Sequence, residues 1–262
     1  MVSTLIGTRA KRVLVELYES VSLVSIRLAV HIYRRILSHR RLYCCIIIVA
    51  FLYQKIDRYH MNSNQRGYSA GAVKHAFWFM EFRKVVTLRE EGKAWEEIKK
   101  TNEEENLFGA PTPARAKQIW NTVSARVKAL DGSFYPIFTE SDLASQKLFT
   151  LVATMSNDML FAEFVYEIIR EKMIIGINEY SPSDIRLFFK HKQEQSEKAA
   201  GWTDQTLERL GQSYRNFLYE AGMTDNGREI RKILKPILDP EMERWLEDQH
   251  MDYCLKALKG VR

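Results

Sequence analysis

"TDQTLERLGQSYRNFLYEAGMTDNGREIRKI", residues 203–233, joins an amphipathic helix to a glycine-marked turn, and its reading decides what kind of fold surrounds it. Thr203 is a helix-start residue. At 100° per residue, Leu207, Leu210, Tyr214, Phe217, Leu218 and Ala221 fall on one face. The opposite face is Gln205, Arg209, Gln212 and Asn216, a single stripe with Glu208 toward its edge. Their amides and guanidinium are the groups that make bidentate contacts to adenine and guanine in the major groove. Gln and Arg also suit any solvated helix by propensity alone. An ordinary solvated face intersperses Glu and Lys, however, and this stripe has neither along its centre.

The helical rhythm stops at Ala221. Asn226-Gly227 is a type I′ turn signal, because both central positions need positive φ, and Met223 and Ile230 flank it as short strand candidates. A helix followed by a small hairpin is the plan of a winged helix-turn-helix; an ordinary turn after a helix is the alternative. In the winged reading Arg228 sits at the tip, followed by Arg231 and Lys232, where a wing meets phosphates.

Outward from this stretch the chain reads as helical, with apolar residues at three and four spacings behind helix-start signals. Ser69 precedes a helix to about Glu91, broken by Gly92, and a short helix runs from Ala94 to about Asn102. Thr112-Pro113 opens one to about Leu130, and a loop through "FYPIF" leads to Thr139, Asp142 and a helix to about Met155. Asn157 caps another to about Ile175, Ser181 to Asp184 start one to about Ala200, and Asp239-Pro240 start the last, ending before Gly260. The expected fold is therefore all-α with a small β-hairpin. Its parts are a leader (1–60), a helix-turn-helix-like subdomain (61–135) and a winged-helix-like subdomain (136–262), the last two meeting near residues 131–141.

"GKAWEEIKK" followed by "TPARAKQIW" suggests a second helix-turn-helix, although the loop from Glu103 to Pro111 is long for one. In its second helix Ala116, Ile119, Trp120, Val123, Val127 and Leu130 form the core face. Lys117, Gln118, Asn121 and Lys128 point away, with Arg115 and Arg126 on one flank. Arg115, Lys117, Gln118, Asn121 and Lys128 are candidate phosphate contacts. Little else looks chemical. Glu163, Glu167 and Glu171 repeat every four residues without the Glu-x-x-His of a carboxylate metal site, so they read as a solvated face. His75, His191 and His250 are isolated, and "FWFMEF" at 77–82 reads as core. No phosphate loop or nucleophile motif occurs, so no catalytic residue, metal or cofactor is expected.

Charge divides the chain. Residues 1–60 hold ten Lys or Arg against three acids, a balance of +7, while the whole chain is +6; residues 61–262 thus carry −1. The basic character belongs to the leader and cannot by itself argue for nucleic acid or lipid binding by the body. The uncharged run Leu42–Gln54 would make a helix of roughly 20 Å, short of a hydrocarbon core of about 30 Å. The leader reads as an upstream extension before a start at Met61, or else as a basic amphipathic segment on a membrane surface; stable membrane insertion is not expected. Cys254 is the body's only cysteine, which fits a reducing, cytoplasmic setting.

The blocks "YSAGAVKHAFWFMEFRKVV", "FGAPTPARAKQIWNTVSARVKAL", "FYPIFTESDLASQKLF" and "ILDPEMERWLED" resemble the BrxA family of bacteriophage exclusion (BREX) defence systems, from about Gln65 to Arg262. The resemblance implies a cytosolic, mainly helical protein that binds DNA and has been likened to the helical antitermination factor NusB, in a family without a catalytic signature; the function expected from this and from the two helix faces is non-catalytic duplex DNA binding in phage defence. Other BREX proteins and RNA are the partners of the alternative readings: an adaptor of the defence complex, or a NusB-like RNA binder. Because the charge step and the resemblance both fall near residue 60, deletion of residues 1–60 is expected to leave a folded protein that still protects against phage. Loss of protection in a plating assay, with the shortened chain still expressed, would count against this.

Overall fold

The computed structural model describes residues 67–262; the expectations for the leader lie outside the described residues. A 3-10 turn, Gly71–Lys74, and an extended segment precede α1 (Phe79–Glu90), where the sequence predicts one unbroken helix. The break has a physical cause. Arg126 Nη1 donates to the carbonyls of Ala76 at 3.1 Å and Phe77 at 2.6 Å, which holds those groups out of helical pairing, and Trp78 turns into the left-handed region at φ 52°. α2 (Trp95–Glu105) follows the Gly92 break. Asn106 then exchanges two 2.8 Å hydrogen bonds with Ala110, closing the turn before α3 (Pro113–Lys128). As expected, Thr112 Oγ1 accepts the Arg115 N–H at 3.2 Å and Pro113 fills the first turn.

The predicted "FYPIF" loop is instead α4 (Phe134–Glu140), with Pro136 tolerated in its first turn. Phe134 and Phe138 lie one turn apart and are both fully buried, and that burial outweighs the loop-like composition. α5 (Leu143–Asn157) is capped by Asp142, whose carboxylate accepts the Ser145 N–H at 2.7 Å. Asp158, rather than Asn157, caps α6 (Met159–Phe164), which continues as a π-helical segment, Val165–Arg170, and α7 (Glu171–Ile174). β1 (Glu179–Tyr180) leads to α8 (Pro182–Gln195), where Asp184 accepts the Ser181 N–H at 2.8 Å, then α9 (Glu197–Ala200) and α10 (Asp204–Glu220). β2 (Arg231–Lys232) pairs antiparallel with β1, Glu179 opposite Lys232 and Tyr180 opposite Arg231. The predicted last helix is two, α11 (Pro240–Asp248) and α12 (Asp252–Lys259), separated where His250 adopts φ 55°.

One hydrophobic core runs through the described residues. On one side Phe82, Phe134, Phe138, Phe149 and Trp245 pack ring on ring, with Trp245 Nε1 donating to Ser133 Oγ at 2.9 Å. On the other, Tyr214 is ringed by Phe161, Phe164 and Phe189 at 5.0–5.8 Å. Phe134 and Phe138 carry the core across residues 131–141, where the sequence predicts two subdomains to meet. Trp78, Phe82 and Val85 are buried, as the core reading of "FWFMEF" requires. Glu163 departs from the predicted solvated face. It is buried, 2.7 Å from Lys192 Nζ of α8, and accepts the Tyr68 hydroxyl at 2.6 Å. Glu167 and Glu171 are exposed. Burial pushes the Cys254 thiol up to about 12, which makes it a packing group.

Arg126, on α3, is 3% exposed and also lies 5.4 Å from the Phe217 ring of α10, so it joins three parts of the chain. Arg126→Ala should cost about 3 kcal/mol by stranding the buried Phe77 carbonyl, loosening that of Ala76 and leaving a void beside Phe217. Asp239→Ala, which removes the cap on the N–H groups of Glu241 and Met242, should cost about 1 kcal/mol. Thermal unfolding of both variants checks the ranking; equal midpoints would show that Arg126 bears no special share of the stability.

Candidate nucleic-acid interface

The two-residue strands and the helices between them form a local unit. β1 enters α8, the short α9 turns the chain, α10 crosses back over α8, and β2 returns to β1. Gly211 permits the crossing: a β-carbon there would lie 2.8 Å from Ile185 Cγ2 of α8, so a side chain would prise the helices apart. This glycine and its role are missed by periodicity, which registers only its place on the helix.

On α10 the predicted division of faces holds. Leu210, Tyr214, Phe217, Leu218 and Ala221 are buried and Leu207 is half-buried, while Gln205, Arg209, Gln212 and Asn216 are exposed. Gln212 Nε2 donates to Asn216 Oδ1 at 2.9 Å, which aligns two amides along the stripe. Glu208 is exposed beside them.

The turn after α10 differs in detail from the predicted hairpin. Neither Asn226 nor Gly227 has positive φ, so no type I′ turn forms, and Ile230 is exposed and outside the ladder. Thr224 bridges Ile233, and Asp225 shapes the intervening loop by accepting the N–H groups of Gly227 at 3.2 Å and Lys232 at 2.9 Å. Two arginines hold the loop from beneath. Arg215 donates to the carbonyls of Gly227, at 2.8 Å, and Arg228. Arg231, only 3% exposed, donates to the carbonyls of Arg215 and Gly227 and to Asn226 Oδ1. Arg231 is thus removed from the phosphate candidates, because its guanidinium is spent on the loop's own backbone. Arg228 and Lys232 are exposed. Arg215, on the buried side of α10, is not recognisable from the sequence, because a helical wheel shows its position without its partners.

On α3, Lys117, Asn121 and Lys128 are exposed, with Lys128 Nζ 4.5 Å from the Trp95 ring centroid. Arg115 lies 5.0 Å over Trp78 and donates to Gln118 Oε1 at 2.8 Å; Gln118 in turn donates to the Lys74 carbonyl at 3.0 Å. Arg126, predicted on the Arg115 flank, points inward. Glu103 and Glu104, near the end of the neighbouring α2, pair with Lys99 and Lys100 of the same helix at 3.8 Å. The 3-10 turn packs against α10, so residues between the 3-10 turn and α1 lie between the two predicted reading helices. His75 lies in that segment. Burial, then the charges of Arg126, Arg115 and Lys74, hold its imidazole down at about 4. Among the described residues no group of three or more His, Cys, Asp or Glu could hold a metal, and no single helix is long and apolar enough to cross a membrane.

A depressed histidine pKa means that the folded protein binds fewer protons than the unfolded chain between about pH 4 and 6.5. Stability from this site therefore rises with pH across that window and is lost as pH falls through it. Asp158, which burial pushes up to about 6, opposes this slope equally in parent and variant. His75→Gln should flatten the rise in unfolding free energy between pH 4.5 and 7, as measured by urea titration; identical slopes would mean that His75 titrates normally.

Comparison with known proteins places the chain in a family. The family model described as BrxA matches residues 66–250. The BREX protein BrxA of Bacillus cereus (strain H3081.97) is 37% identical over 161 residues, covering 62% of this chain and 80% of that protein. The BREX protein BrxA of Escherichia coli O9:H4 (strain HS) is 24% identical over 165 residues, covering 60% and 73%. A crystal structure of an uncharacterized protein from Magnetospirillum magneticum is similar in fold, with a TM-score of 0.64 at 14% identity over 74% of this chain and 99% of that one. The family match spans both predicted reading helices and most of the core that carries them, and on that footing the chain belongs to the BrxA family of BREX proteins.

Proposed function

We propose that the protein is a non-catalytic component of a BREX anti-phage system that binds duplex DNA in the cytoplasm, with β1, α8, α9, α10 and β2 acting as a winged helix-turn-helix. The observation that carries the reading is the α10 stripe. Gln205, Arg209, Gln212 and Asn216 are all exposed, all suited to base edges, and backed by an opposite face buried from Leu210 to Ala221. The strand order supports it, since a strand before the first helix pairs with one after the loop. Arg228 and Lys232 supply wing cations, and Lys117 and Lys128 supply cations on α3.

A second reading is an adaptor that contacts other BREX proteins. The observation favouring it is apolar: Ile230, Leu234 and Ile237 are exposed beside the wing, Ile237 at 95%. Binding of the full chain to duplex DNA, single-stranded RNA and neither separates DNA, RNA and adaptor readings.

On a preferred duplex, Arg209→Ala and Gln212→Ala should each cost about 1–3 kcal/mol while leaving non-specific binding nearly intact. Arg228→Ala and Lys232→Ala should weaken binding to every duplex alike, each lowering the salt slope by roughly 0.9 for the phosphate it no longer neutralises. Arg231→Ala should act differently, reducing thermal stability. A salt titration by fluorescence anisotropy decides it: binding by all variants that matches the parent would remove α10 and the wing from the interface.

A further inference from the structure

A pocket of about 560 Å³ opens between the 3-10 turn and α3, lined by Val73, Lys74, His75, Ala76, Arg115 and Gln118. No residue of α10 or of the wing loop lines it. Among the described residues no carboxylate forms an ion pair with Lys74 or Arg115. Arg115 is also held in one orientation, stacked on Trp78 and hydrogen-bonded to a Gln118 that is itself anchored on the Lys74 carbonyl. Trp78 keeps a left-handed backbone, a strained conformation for a non-glycine residue, and its ring lies against both His75 and Arg115. Two cations that no carboxylate among the described residues pairs, one of them preorganised, thus border the same opening.

We propose that this pocket binds a phosphate group, separately from the α10 stripe, with Lys74 and Arg115 as charged contacts and His75 as a hydrogen-bonding wall. A fixed guanidinium matches phosphate oxygens in a fork, and an ammonium adds charge without fixing direction. The end of α3 is not the site, because Thr112 already accepts its Arg115 N–H. The volume leaves room for whatever the phosphate is attached to. That phosphate belongs to a nucleic-acid backbone or to a free phosphomonoester; the first source extends the DNA interface and rests on that reading, the second stands without it. His75 is the reporter. Its charged neighbours, Arg126, Arg115 and Lys74, are all positive, so an anion placed among them offsets what holds the imidazole low.

The test is NMR of the full chain, following the His75 ring during titration with inorganic phosphate and with a short duplex DNA. Phosphate should move the His75 resonances and raise its pKa clearly above 4. Lys74→Gln with Arg115→Gln should abolish that response, while the exposed Lys99→Gln leaves it intact; Lys74→Gln alone, at an exposed position, should weaken it without disturbing the fold seen by circular dichroism. If the source is the nucleic-acid backbone, the double variant should also lower the duplex salt slope by roughly 0.9, for the one phosphate the pocket no longer holds. A phosphate response with an unchanged duplex slope supports the pocket and assigns it to a free phosphomonoester. Arg209→Ala should leave the phosphate response untouched, so loss of the DNA reading and loss of the pocket are told apart. No movement of His75 with either ligand, or the same movement in the double variant, overturns the proposal.

Discussion

The buried Arg126 guanidinium is the constraint on which the arrangement of the two candidate reading helices depends. It belongs to α3, binds the carbonyls of Ala76 and Phe77, and lies over Phe217 of α10. Burial lowers its pKa to about 10, with Asp158 and Glu220 acting in the opposite sense, so it stays charged at neutral pH. A buried charge with its hydrogen bonds made is costly to disturb, because each partner removed leaves a desolvated group behind. That is why the chain gives up helical pairing at residues 75–78 and accepts a left-handed Trp78. The consequence is spatial: the 3-10 turn, α3 and α10 are fastened together.

Arginine is used for two separate purposes. Arg126, Arg215 and Arg231 are buried and act on backbone carbonyls, shaping the 75–78 segment and the wing loop. Arg209 and Arg228 are exposed, and Arg115 is partly so. With the body at −1, the cations left at the surface are balanced by acids, and their placement matters more than their number. The buried Lys192 follows the first pattern, tying α8 to Glu163 of α6. An acid that reads as solvated in the sequence thereby helps fix the helix on which α10 rests.

Most helix starts and several caps were legible in the sequence because both are local. Thr112, Asp142, Ser181, Thr203 and Asp239 act within three residues of themselves, and the division of α10 into a buried and an exposed face follows from a 3.6-residue period. The family resemblance was legible for a related reason, since it rests on contiguous blocks. What only the tertiary structure decided was the fate of groups whose partners are distant. Arg126 meets a carbonyl 49 residues away, Glu163 meets Tyr68 across 95, and β1 exists only because β2 returns to it. The wing shows both sides: Gly227 marked a reversal of the chain, but Arg215 and Arg231 chose its geometry, because buried donors must find acceptors and loop carbonyls were within reach.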